Sequence, residues 1–176
     1  MKNTKEILTN LNACNEAIQW AGDKSIEEIL KGVHRGDWVL WLASILKVDH
    51  RAFTLAKARC AKTVIHLMKD KRNIKAVKVA EQYGLGKATK EELKSAAAAT
   101  SPIASYSDYS AYASASYYAS YYASYSAASY SAYAAATADS TADSTDAAAY
   151  AKSQQQTADI CKEILGDLII KKWKKL

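Results

Sequence analysis

Apolar residues recur at helical spacing along the first half of the chain, and no useful length alternates with a period of two, so the pattern predicts an all-α fold. Ile7, Leu8, Leu11, Cys14, Ile18 and Ala21 share one face of a helix over 4–21, which Gly22 ends. Ser25-Ile26-Glu27-Glu28 forms a capping box that opens a short helix to about Val33. Gly36 breaks the chain, and Asp37 is placed to N-cap the run WVLWLASIL. That run is apolar nearly all round, which predicts a central buried helix with Trp38 and Trp41 in the core. Asp49 caps the next helix, expected to reach about Lys69, with Phe53, Ala56, Cys60 and Val64 as its stripe beside Leu55 and Leu67. A helix over 73–83 is stopped at Gly84 and Gly86, and Thr89-Lys90-Glu91-Glu92 is a second capping box.

The second half is built differently. Ten of the twelve tyrosines lie between Tyr106 and Tyr133, in a run made almost wholly of Ala, Ser and Tyr. The run has no Gly, and the chain's single Pro, Pro102, precedes it, so the composition favours helix over disorder. At 100° per residue Ala115, Ala119, Ala123 and Ala127 fill one arc, and Tyr117, Tyr118, Tyr121, Tyr122 and Tyr125 fill the opposite one. The thin side suits close helix approach, and the thick side carries rings whose hydroxyls need partners. The repeated ADST predicts a turn near 138–146, because Ser, Thr and Asp favour caps over helix interiors. A last helix over 146–174 follows, with Ile160, Ile164, Leu165, Leu168 and Ile169 on its buried side. Together with a helix over 103–137 it makes a long antiparallel hairpin, and Ala147 to Ala149 continue the small-residue seam. The expected architecture is one domain over 1–176, a bundle of about seven helices, with a basic part over 1–94 and the Ala/Ser/Tyr-rich hairpin over 95–176.

Charge changes the picture next. Residues 1–94 carry 18 Lys and Arg against 11 Asp and Glu, residues 95–151 carry four Asp and no cation, and residues 152–176 carry six Lys against three acids. The tract is therefore nearly uncharged inside a basic chain of net charge +6. No run of about 20 apolar residues suggests a membrane span, and the N-terminus lacks the apolar centre of a signal peptide. Three cysteines without CxxC spacing read as reduced, buried thiols and suggest a cytoplasmic protein.

The segments ACNEAIQWA, RGDWVLWLASIL, the basic helix with ARCA, YGLGKATKEELKSAAAA and the long Ala-rich tract resemble a bacterial family of immunity proteins associated with polymorphic-toxin systems. The resemblance spans nearly the whole chain, and its most specific parts are Arg35-Gly36-Asp37-Trp38 with Leu40-Trp41-Leu42 and the position of the Ala tract. It implies a helical, non-enzymatic protein and supplies no binding residue. The chain departs from the family in a tract unusually rich in Tyr and Ser. Its net basic charge also differs from the acidic surface expected of an inhibitor of a nuclease toxin.

Chemistry-bearing motifs are sparse. His34, His50 and His66 with the three cysteines show neither i,i+4 nor CxxC ligand spacing, so no metal and no cofactor are expected. There is no P-loop, no GxGxxG and no nucleophile pair, since six residues put Cys60 and His66 on opposing faces. Arg35 and Trp38 have a structural reading, as turn and anchor, and a second reading as a pocket. Residues 51–78 hold Arg51, Lys57, Arg59, Lys62, Lys69, Lys71, Arg72, Lys75 and Lys78 against Asp70 alone, which reads as a solvated face or an anion site. Arg59 and Lys62, with Tyr118, Tyr121, Tyr122 and Tyr125 stacking on a base, would suit a small nucleotide. The absence of a recognition-helix, zinc or sheet-aromatic motif argues against nucleic acid. The lysines of KKWKKL complement the dipole of a helix end rather than contact a membrane.

These features lead to a non-catalytic binding protein that works by occupancy: an immunity-type inhibitor of a toxin or defence-effector protein. The alternative is a sponge-like binder of a small anionic nucleotide signal such as a cyclic nucleotide, as in phage counter-defence. A third class is a structural homo-oligomer joined by the Ala-Tyr hairpin. Tyrosines on an exposed flat patch favour the first, and rings converging with Arg or Lys on a concave site favour the second.

Overall fold

Eight α-helices and one 3-10 turn, with no strand, make up the described residues of the computed structural model, 3–63, 65–67, 71–99 and 142–176. The helices are α1 (Thr4–Asn10), α2 (Asn15–Ala21), α3 (Ile26–Gly32), α4 (Gly36–Ile45), α5 (His50–Lys62), α6 (Lys71–Gly84), α7 (Lys90–Ala98) and α8 (Ala142–Trp173). The all-α expectation holds. The proposed arm over 103–137, with its seam and its tyrosines, lies outside the described residues.

Both predicted capping boxes are formed. Ser25 and Glu28 close α3, and Thr89 and Glu92 close α7, each hydroxyl accepting the N3 amide while the carboxylate accepts the N-cap amide. Asp49 caps α5 by accepting from the Ala52 amide. Elsewhere the boundaries move. The helix expected over 4–21 is two helices, because Asn12 adopts the left-handed conformation (φ 60°) and lets the Ala13 amide donate to Leu8 and its own amide to Thr9. Asn tolerates that conformation better than most residues, and the resulting C-cap stops the helix. Asp37 is not the cap of α4: the helix begins two residues earlier, Arg35 is at the N-cap, and the Asp37 side chain turns to Arg35 instead. The helix expected to reach about Lys69 ends at Lys62, where the Thr63 hydroxyl donates to the Cys60 carbonyl at 2.7 Å. The last helix begins at Ala142 rather than at 146.

α8 packs along α4 and α5 and also meets α3, α6 pairs with α5, and α7 pairs with α6. The stripe Ala158, Cys161, Leu165, Ile169 and Trp173 of α8 is buried against Val39, Leu40, Leu42 and Ala43 of α4 and against α1, α3 and α5. Ile160, Ile164 and Leu168 flank it, half-buried. Trp38 and Trp41, expected in the core, are half-buried at its edge. Across α5 lie two smaller clusters, which together make up the second core: Ala61, Ala76, Val77 and Ala96 in one, and Ala58, Ala80, Tyr83 and Leu93 in the other. α5 and α6 are antiparallel: Arg51 at the start of α5 donates to the Tyr83 carbonyl near the end of α6 at 2.6 Å, with its guanidinium 4.4 Å over the Tyr83 ring.

α4 touches α8 most closely at Gly36, where an added Cβ would fall 2.6–2.8 Å from Thr157 atoms, including its backbone carbon. Gly36→Ala is therefore expected to destabilise by about 1–3 kcal/mol through overpacking, although Ala is the better helix former. Gly166, inside α8, has nothing within 4 Å of the same position, and Gly166→Ala should stabilise by up to about 1 kcal/mol. Urea unfolding of the two variants beside the parent reads both signs.

Sandwiching α5 also buries Lys57, 5% exposed, with its ammonium 4.7 Å over the Phe53 ring. Desolvation lowers its pKa from 10.5 to about 8. Between those values the unfolded chain keeps a proton that the folded chain has released, so this contribution is present above 10.5 and lost as pH falls through about 8. Relative to Lys57→Met, the parent should gain about 2–4 kcal/mol as pH rises from 8 to 10.5. Denaturant titrations of both proteins across that range measure the changing gap.

Candidate functional site

The break at Asn12 swings α2 across the start of α4 and opens a cleft of about 300 Å³ between them. Asn12, Ala13 and Cys14 line one side, Glu16 and Ala17 the α2 side, and Arg35, Asp37, Trp38 and Trp41 the α4 side. Arg35 organises it. Its Nε and Nη2 donate to Oδ1 and Oδ2 of Asp37 at 3.1 and 2.6 Å, a bidentate pair, while Nη1 donates to Glu16 Oε2 at 3.0 Å. The same guanidinium lies 4.7 Å over the Trp38 ring. Behind it, Trp38 packs at 5.7 Å on Trp20 and 6.1 Å on His34, so its indole is held from two sides.

Arg35 and Trp38 make the stack and ion pairs of a structural anchor and also line the cleft. Arg59 and Lys62 stand elsewhere, on α5. Lys62 Nζ lies 2.9 and 2.8 Å from the two carboxylate oxygens of Glu81, and Arg59 lies 3.9 Å from Glu81 and 3.6 Å from Glu163. Tyr118, Tyr121, Tyr122 and Tyr125 lie outside the described residues. The basic run over 51–78 does not form one face. Arg51 clamps Tyr83, Lys57 is buried, Arg59 and Lys62 meet acids, and Lys71, Lys75 and Lys78 are exposed on α6. Two antiparallel helices carry those residues, so neighbours in sequence point apart.

Glu16, Asp37 and Asn12 were missed as site residues. Glu16 sits on what reads as one continuous helix with α1, so only the turn at Asn12 brings it to Arg35. Asp37 looked like a cap, and its partner two residues away was the available signal. Of the cysteines, Cys14 is exposed at the rim of the cleft, contrary to expectation, while Cys60 and Cys161 are buried. Among the described residues no group of three or more His, Cys, Asp or Glu is placed to hold a metal ion. Among them, too, no helix is long and apolar enough to cross a membrane. At the chain's end Trp173 is buried, and Lys174 bonds Glu27 of α3 at 2.8 Å, which lowers the Glu27 pKa.

No protein-family model, curated protein or solved structure matches the chain. The resemblance to immunity proteins therefore stands on the sequence motifs alone, and the site must be read from its own chemistry.

That chemistry is asymmetric. Asp37 is buried, with its side chain 7% exposed, and Glu16 is 68% exposed, yet both use the same guanidinium. Arg35→Ala should leave the Asp37 carboxylate without that bidentate partner and destabilise by about 3–5 kcal/mol. Glu16→Gln removes an exposed ion pair and should cost less than about 1 kcal/mol. Thermal and urea melts of the two variants distinguish an anchor at Arg35 from a merely decorative pair.

Proposed function

We propose that the chain is a non-catalytic binding protein of the immunity type, which neutralises a toxin or effector protein by occupying it, and that the cleft beside Trp38 and Trp41 is part of its contact surface. The observation that carries this reading is the state of Arg35. Its charge is already met by two carboxylates, so the cleft lining has a net charge of −1 and would repel a phosphate. A cleft of about 300 Å³ with indole walls and a carboxylate at its rim suits an apolar or basic side chain of a protein partner, with Trp41 as the anchor surface. The cations first paired with a nucleotide, Arg59 and Lys62, share Glu81, with Glu163 a further 3.6 Å partner of Arg59. The sequestering of a nucleotide signal is the second reading, and it rests on the tyrosine tract.

The test places a photo-crosslinking residue at Ala13, on the wall of the cleft, in the cells that make the protein. The expected outcome is a protein adduct whose toxic activity the purified chain suppresses, with suppression weakened at least tenfold by Trp41→Ser in protein that still folds. Adducts formed only with other copies of the chain would point to the structural oligomer instead. Calorimetric heats from mono-, di- or cyclic nucleotides, with no protein adduct, would move the function to the second reading.

A further inference from the structure

Two thiols that the proposed site does not use face each other in the main core. Cys60 of α5 and Cys161 of α8 lie 101 positions apart, their sulfurs are 3.6 Å apart, and both residues are 0% exposed. We propose that this pair is a disulfide-forming modification site that staples α8 to α5.

The geometry is close to what the bond needs. A disulfide requires the sulfurs at about 2.05 Å, so they must approach by about 1.5 Å from van der Waals contact. Ala56 and Ala61 flank Cys60, Thr157 and Ala158 precede Cys161 on its helix, and the Cys60 sulfur also lies 3.8 Å from the Thr157 carbonyl oxygen. With small side chains beside both cysteines, rotation about their χ1 bonds can bring the sulfurs together without moving the helix backbones or displacing a bulky group. The third cysteine, Cys14, is exposed on the far side of the α1–α2 turn and has no described thiol beside it.

Hydrogen peroxide, small and uncharged, is the class of oxidant that can reach such a pair. One sulfur, as thiolate, attacks a peroxide oxygen; the O–O bond breaks, a sulfenic acid forms, and the departing hydroxide takes a proton to leave as water. The second thiol then attacks the sulfenic sulfur; the S–S bond forms, the S–O bond breaks, and a second water carries off the remaining proton. Two sulfurs are oxidised by one electron each, and one peroxide is reduced to two waters. The hydrogen bond to Cys60 and full burial hold the Cys161 thiol well above its ordinary pKa, so the closed protein resists the first step. Oxidation is gated by α8 lifting from α5. In a reducing compartment the pair remains a dithiol; under peroxide it traps α8 in place. The trapped helix is also the one that carries Thr157, one turn before Cys161, against the first turn of α4. The bond closes a loop containing α6, α7 and the whole Ala/Ser/Tyr tract, and long loops give the larger stabilisation.

The full chain, purified reduced and freed of reductant, is exposed to hydrogen peroxide in urea below the unfolding midpoint. It is then quenched, alkylated under denaturing conditions and digested with trypsin. Accessible thiols should fall from three to one. A reduction-sensitive peptide should appear that joins Cys60–Lys62 to Ser153–Lys162. The melting temperature should rise by roughly 5–15 °C, reverse with dithiothreitol, and be absent in Cys161→Ser. Three thiols surviving the treatment overturn the proposal, as does a disulfide formed only by Cys14 between chains, or sulfinic acid at Cys60 or Cys161 without the joined peptide. If Cys161→Ser does not fold, the peptide map of the parent still decides.

Discussion

α5 is buried on two opposite faces, and the remainder of the structure is arranged around that constraint. Thr54, Ala56, Lys57, Ala58, Cys60 and Ala61 are all buried in a helix of 13 residues. Ala56 and Cys60 meet the main core with α8, and Ala58 and Ala61 meet the second core with α6 and α7. A helix in this position cannot carry large side chains on both sides without pushing its neighbours beyond the usual 8–10 Å interaxial separation. Alanine and cysteine satisfy that limit. The same economy appears where neighbours close in: Gly36 is pressed to Thr157, and a Cβ on Gly84 would fall 2.5 Å from the Leu55 side chain.

Small residues leave less apolar area to bury per helix, so polar groups are drawn into the packing. Lys57 lays its ammonium over Phe53, and Thr54 returns its hydroxyl to the His50 carbonyl at 2.8 Å. The Tyr83 hydroxyl meets His50 Nδ1 at 3.2 Å while Arg51 covers its ring, tying the start of α5 to the end of α6. Asn73 is the costly member: fully buried, with neither its amide nitrogen nor its oxygen hydrogen-bonded among the described residues. Burial without partners costs free energy.

Legibility in the sequence follows from whether a signal is local. The two capping boxes and the Asp49 cap were readable because donor and acceptor lie within one turn. The break at Asn12 was not, since it depends on one residue taking a left-handed conformation, at φ 60°, that the apolar period does not encode. The stripe on α5 was half readable. Periodicity reported the face toward α8, whereas the face toward α6 is made of alanines, which carry little apolar contrast. The candidate site was legible as Arg35 and Trp38, neighbours on one turn, and illegible as a cleft, because Glu16 arrives only through the Asn12 turn. The Cys60–Cys161 contact, 101 positions apart, has no local signature at all.

Net charge misleads for the same reason. Nine cations grouped along 51–78 suggest a single electropositive face, and the antiparallel turn between α5 and α6 divides those it describes among a ring stack, a buried ammonium, acid pairs and a solvent-facing row. What a ligand meets is the local balance, screened within about 8 Å at physiological ionic strength. In the cleft that balance is one guanidinium against two carboxylates, on a chain whose overall charge is +6. Long-range steering by the chain as a whole would draw an anion toward the molecule, and the cleft would then reject it. On the reading proposed above, a basic or apolar side chain of a partner suits the space beside Glu16 and Trp41, where a phosphate would meet two carboxylates.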